Sequence, residues 1–311
     1  MSFMKRLTIR CCADRRSLVI AVAVMAVALN ACGGDTGSSR GGPRAGEPAT
    51  TFHHIHGLGI DKAGTLYVAT HAGLIRGTSD SSWNYVSADR NDHMGFTLDP
   101  KSGTMFRSGH PATGGSLGVE SSADGDAWRK LSDVLEPPVD FHAMTVSQAD
   151  GKTVFGWDSR TSKTLRSLDG GRTWRELSML GTDSAVLSFA APPTLGVVLA
   201  ATSSGLFRST DQGASWKRLS TIGDGYVVSV ATDPNDANHL LASTERGMKI
   251  SRDGGATWTP SLGGIPPTVA VTSLAISPVD GDVAYAADAL TIFKTVDGGK
   301  YWAVVRSEPR P

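Results

Sequence analysis

The chain has 311 residues, with 30 basic side chains against 30 acidic ones and no formal net charge. That balance gives no electrostatic reason to expect nucleic acid as a partner. Its three cysteines are Cys11, Cys12 and Cys32, so beyond residue 32 the sequence offers neither a thiol nor an intramolecular disulfide.

Residues 1–31 read as a signal peptide. A basic stretch (Lys5, Arg6, Arg10, Arg15, Arg16) precedes an apolar run over 18–29. The run is shorter than the roughly 20 residues a spanning helix needs. It ends in Leu29-Asn30-Ala31-Cys32-Gly33, which resembles the lipobox of bacterial lipoproteins, although Asn30 is an unusual second residue. The resemblance implies acylation of Cys32 and export, with the protein held on the membrane of the cell envelope by an N-terminal lipid and facing the periplasm or the exterior. Residues 32–50 are rich in Gly, Ser, Pro and Arg without apolar periodicity and read as a flexible tether.

From there a repeat governs the chain. Trp83, Trp128, Trp174, Trp216, Trp258 and Trp302 follow one another at spacings of 45, 46, 42, 42 and 44 residues. A fixed period of about 40–50 residues marks a stacked or radial architecture. The flanking words repeat too. Ser167-Leu168-Asp169-Gly170-Gly171-Arg172-Thr173-Trp174 returns around Trp216, Trp258 and Trp302, shortened around Trp128 and degraded around Trp83. Each unit parses as four short strands, as at 186–191, 196–201, 205–209 and 215–219, separated by Pro, Gly and Asp. The expected fold is all-β, a six-bladed β-propeller of four-stranded antiparallel blades over residues 51–309. The blades run at about 53–88, 91–133, 139–179, 184–221, 225–263 and 269–306. A lone blade exposes an apolar face, and a ring of blades buries it. Blade six carries its own fourth strand, so closure needs no strand exchanged from the N-terminus, and 50–52 are free to extend an edge. A monomeric propeller is expected.

These repeated words resemble the Asp-box (BNR) repeat of bacterial sialidases, xyloglucanases, sortilin-type propellers and the photosystem II assembly factor propeller. His53-His54-Ile55-His56-Gly57-Leu58-Gly59-Ile60 resembles the opening of a bacterial lipoprotein group labelled glycosyl hydrolase or sialidase-like. The resemblance implies the fold; the repeat itself occurs on propellers that are not enzymes. A sialidase site is not supported, because the Phe/Tyr-Arg-Ile-Pro word is absent and the tyrosines mostly fall inside strands or boxes.

Alignment of the inner strands gives a channel-facing column His56, Met94, His142, Leu187, Val228 and Thr272. Two residues earlier, on the same strand face, stand His54, Asp92, Asp140, Ala185, Tyr226 and Ala270. The ends of the second strands return to that rim with His71, His110, Asp158 and Arg160. Seven of the eight histidines, His93 among them, fall between 53 and 142 and map to blades one to three. Trp157, which belongs to no box, lies beside Asp158. Imidazoles with carboxylates suit zinc, or copper if Met94 joins them. The first ligand choices are His54, His56 and His142, followed by Asp92, Asp140 and His71. A solvated funnel, or a glycan or peptide pocket with Trp157 as a stacking platform, uses the same residues. The sequence thus points to an envelope-anchored binding or assembly module for a glycan, a peptide or an envelope protein. The enzymatic alternative is a glycoside hydrolase working through the Asp92 and Asp140 carboxylates.

Overall fold

A computed structural model describes residues 44–178 and 184–309. Cys32 and the signal segment lie outside them. Six four-stranded antiparallel sheets follow one another along the chain. Blade one is β1 (Ile55–Ile60), β2 (Leu66–Thr70), β3 (Gly73–Ser79) and β4 (Ser82–Tyr85). Blade two is β5 (Asp92–Leu98), β6 (Met105–His110), β7 (Val119–Ser122) and β8 (Arg129–Ser132). Blade three is β9 (Phe141–Val146), β10 (Val154–Asp158), β11 (Lys163–Ser167) and β12 (Arg175–Glu176). Blade four is β13 (Val186–Ala190), β14 (Val198–Thr202), β15 (Gly205–Ser209) and β16 (Lys217–Arg218). Blade five is β17 (Val227–Thr232), β18 (Leu240–Thr244), β19 (Gly247–Ser251) and β20 (Thr259–Pro260). Blade six is β21 (Ser273–Ile276), β22 (Ala284–Ala287), β23 (Thr291–Thr295) and β24 (Ala303–Ser307).

The first strand of each blade contacts that of the next, and β21 returns to β1, which closes a six-bladed propeller around a channel. Its apolar interior is divided into wedges. Phe96, Leu98 and Met105 of blade two pack with Ala69 and Leu74 of blade one. Ile292 and Ala287 of blade six pack with Ile55, Leu58 and Trp83 of blade one. Each wedge buries the face that a single twisted sheet would leave wet, and a buried Leu or Phe contributes about 1.5–3 kcal/mol. Closure needs no exchanged strand, since blade six supplies all four of its own. Residues 46–49, expected in the tether, instead run beside β4, with Gly46 N–H to Tyr85 O at 2.8 Å and Ala49 N–H to Trp83 O at 2.9 Å. It is this segment, not 50–52, that extends the outer edge of blade one.

The repeated turn between third and fourth strands closes on itself. In blade three the Ser167 hydroxyl donates to Asp169 Oδ1 (2.8 Å) and accepts the Gly171 N–H (2.8 Å). Asp169 accepts the Thr173 N–H and hydroxyl at 2.9 and 2.7 Å, and Trp174 Nε1 donates to Gly171 O at 2.9 Å. Gly171 sits at φ +85°, where a side chain is strained. The degraded first copy does different work: its Asp80 receives Lys294 Nζ of blade six at 3.0 Å, tying the ring across its closure. The pairing register fixes the two rims. Thr70 at the end of β2 faces Ile55 at the start of β1, whereas Leu66 faces Gly77 near the end of β3. The repeated turns are therefore on the rim opposite the starts of the inner strands.

Candidate metal centre on the histidine rim

The rim built from the starts of β1, β5 and β9 gathers five histidines and two aspartates into two sets. In blade one the rings of His54, His56 and His71 converge, with centroids 4.8 Å (54–56), 5.1 Å (54–71) and 4.4 Å (56–71) apart. Each ring offers a nitrogen within 4.8 Å of the others. The backbone is folded to achieve this. His71 N–H is shared between the carbonyls of His53 (2.9 Å) and His54 (3.3 Å), and His54 takes φ +46°, a region that non-glycine residues rarely occupy.

Blade two contributes Asp92 to this set. Its Oδ2 holds His71 Nδ1 at 2.6 Å, and its Oδ1 stands 3.4 Å from His56 Nε2. That second pair is not hydrogen-bonded, and both atoms are buried without another partner among the described residues. The His56 side chain is only 9% exposed. Burial, outweighing the nearby Asp92 charge, pushes the His56 imidazole down to about 3, so it is neutral at physiological pH. Burial and the neighbouring His71 lower His54 as well.

The second set spans blades two and three. Asp140 Oδ2 lies 2.9 Å from His142 Nε2 and 3.3 Å from His110 Nε2. His110 Nδ1 lies 2.8 Å from Gly115 O. Hydrogen bonding to Asp140 raises His110 to about 9, against the opposing effect of burial. For Asp140, burial works to raise the carboxyl, but the bonds from His110 and His142 outweigh it and hold it below the ordinary carboxylate value.

Four expected residues are placed differently. His142 does not join His54 and His56; it belongs to the second set, and His71 completes the first. His93, 1% exposed, points away from the channel, because alternation along β5 sends it to the face opposite Asp92 and Met94. There its Nε2 is 3.0 Å from Arg107, and its ring stands edge-on to Trp128 at 5.5 Å. Asp158 is fully buried and accepts the Asp140 N–H (2.9 Å) and the Thr161 N–H (3.1 Å), so its carboxylate positions Asp140. Trp157 is half-buried against the apolar wedge between blades three and four, with its indole N–H buried. Arg160 stays exposed at the rim, where its guanidinium donates to the carbonyls of Pro137 (2.9 Å) and Pro138 (3.1 Å).

Gly109 is a positioning residue that the sequence reading passed over. At φ +139°, a Cβ there would lie 2.2 Å from Asp92 O, so only glycine allows His110 and Asp92 their pairing. A glycine directly before a rim histidine at a strand end was the available signal. Below the rim, His56, Met94 and His142 line a channel of about 130 Å³. At its far end the Gln148 side chain bridges from blade three to Thr232 of blade five, with Thr232 Oγ1 to Gln148 Oε1 at 3.1 Å.

No protein-family profile matches the chain, and no curated protein matches its sequence. Among solved structures the chain is similar to the GH74 xyloglucanase of Xanthomonas campestris, with 19% identity, TM-score 0.54, and coverage of 82% of this chain and 47% of that one. It is also similar to a GH74 enzyme of Niastella koreensis, with 15% identity, TM-score 0.56, and coverage of 84% and 55%. The chain thus spans about half the length of these two enzymes. A third similar structure is YCF48 bound to D1 peptide, with 15% identity, TM-score 0.49, and coverage of 85% of both chains. At these identities the likeness establishes a β-propeller and leaves open whether the chain is an enzyme.

Proposed function

We propose that this chain is a metal-binding propeller of the cell envelope, anchored through Cys32, that holds a zinc or copper ion with His54, His56 and His71. One observation carries the reading: three imidazoles converge beside a carboxylate, and His56 Nε2 is buried without a hydrogen-bond partner among the described residues. A buried polar atom without a partner is costly, and a cation on the three imidazoles would satisfy His56 Nε2. The donor set fits. Neutral imidazoles are the form that ligates zinc or copper, and three histidines leave a coordination position open. Asp92 holds His71 at Nδ1 and so leaves Nε2 as the nitrogen to ligate, the usual outer-shell arrangement for a metal-bound histidine.

When bound, the ion would supply a Lewis-acidic position at the mouth of the channel. The residues around it do the rest: Asp92 orients His71, Gly109 admits His110 against the Asp92 backbone, and Asp158 holds Asp140. A peptide, glycan or envelope protein would approach from this rim. In the carboxylate-pair alternative Asp140, whose carboxyl is held low, suits the ionised partner and not the general acid.

Calorimetric titration of the tag-free full chain with zinc and copper chloride, after removal of metal by chelator, tests the reading. Loss of the tightest binding event in His56→Ala and in His71→Ala supports it. No heat with either metal overturns it.

A further inference from the structure

We infer that the rim holds a second, separate metal ion, on His110, Asp140 and His142, so that the loaded propeller carries two. The inference builds on the proposed function and adds a site that the three-histidine set does not use. These three residues offer ligand atoms within 4.8 Å of one another. They come from different strands than the first set: His110 ends β6, His142 lies in β9, and Asp140 directly precedes β9.

Three features mark this as a built site. Asp140 is 8% exposed, yet its Oδ1 is buried with no hydrogen-bond partner among the described residues, so the carboxylate has an unused lone-pair face. Its backbone is pinned, since the buried Asp158 carboxylate accepts the Asp140 N–H at 2.9 Å. His110 Nδ1 faces the Gly115 carbonyl at 2.8 Å and, by donating there, leaves Nε2 as the nitrogen turned toward Asp140. A ligating histidine whose other nitrogen donates to a backbone carbonyl is the common outer-shell pattern of metal sites. Two imidazoles and a carboxylate are a zinc-type set with one position open.

The two sets differ in character. The first has three imidazoles braced by a carboxylate, whereas the second has the carboxylate as a ligand and rings that are about 40% exposed. The second ion is expected to bind more weakly, because it enters beside an ion already in place and on side chains more open to water. Binding there must also displace the proton His110 shares with Asp140.

Zinc titration of the metal-free full chain, read by calorimetry and by elemental analysis after dialysis, decides the matter. Two ions per chain are expected, the weaker lost in Asp140→Asn and in His142→Ala, with the tighter retained in both. His71→Ala should remove the tighter ion and keep the weaker. Because His142 is partly exposed, its truncation tests the site even if Asp140→Asn fails to fold. One ion that survives Asp140→Asn and His142→Ala overturns the second site and leaves the first standing. One ion lost in all three variants means a single shared centre and overturns the two-site inference. One ion that survives His71→Ala but is lost in Asp140→Asn overturns the first assignment and supports this one. No ion at all overturns both.

Discussion

The two rims of the propeller are built from opposite materials. On one, the repeated turns find their partners within four residues: Ser167, Asp169, Gly171 and Thr173 bond to one another, and the same set recurs in blades four to six. On the other, partners come from different strands and different blades. Asp92 of blade two holds His71 of blade one, and Asp140 draws in His110 from blade two. Local closure makes a turn that folds the same way wherever the word is written. Distant closure leaves buried atoms unpaired at His56, Asp92 and Asp140. Regularity here marks what holds the ring, and departures from it mark the side on which the proposed metal set lies.

The comparison can be broken most forcefully at a tryptophan. Trp302→Ala, at a 6% exposed position between blades five and six, should lower unfolding stability by about 3–5 kcal/mol in denaturant titration. A loss below about 1 kcal/mol would mean the repeated side does not hold the ring. Next comes Asp158→Ala, which strands the Asp140 and Thr161 N–H groups. It should cost about 1–3 kcal/mol and loosen metal binding at the second set without touching the first. A stability loss with both ions unaffected would strip Asp158 of its positioning role.

Acid separates the rims in another way. Hydrogen bonds from their own turns hold Asp169, Asp211 and Asp253 at about 2, below the ordinary 3.8. A depressed carboxylate contributes stability above its unfolded value and loses it as pH falls through the folded one. The turns should therefore hold down to about pH 4 and weaken toward pH 2, followed by tryptophan fluorescence. The histidine rim should titrate at its own extremes. In metal-free protein, NMR of the imidazoles should find His56 neutral until about pH 3 and His110 protonated until about pH 9. The signs differ. The His110 contribution is full below its unfolded value near 6.5 and fades as pH rises through 9. Buried neutral His56 instead loses stability as pH falls from 6.5 toward 3. Both rings titrating near 6.5 would refute the described packing of the rim. At the small end, His142→Ala should change stability by no more than about 0.5 kcal/mol while changing metal stoichiometry, since a rim side chain is spared from holding the ring.

The ring was legible because its signal is local and repeated: a tryptophan every 42–46 residues, four of the six behind the full turn word. The rim was legible as a set of positions, since period-two alternation places His54, His56, Asp92, Asp140 and His142 on one side. Which of them meet was not. His71 rather than His142 completes the first set because strand curvature and blade spacing decide convergence, and neither is written in any one strand. The same alternation excludes His93, which lies between Asp92 and Met94, and a strict reading of parity would have removed it. Trp157 is set by packing between blades three and four, and Asp158 by a turn that swallows its carboxylate; no residue pattern reports either.

The Gln148 bridge to Thr232 crosses the far end of the central channel. It is a chord between two blades that are not neighbours in the ring, so blades three and five are tied to each other directly and not only through the blade between them.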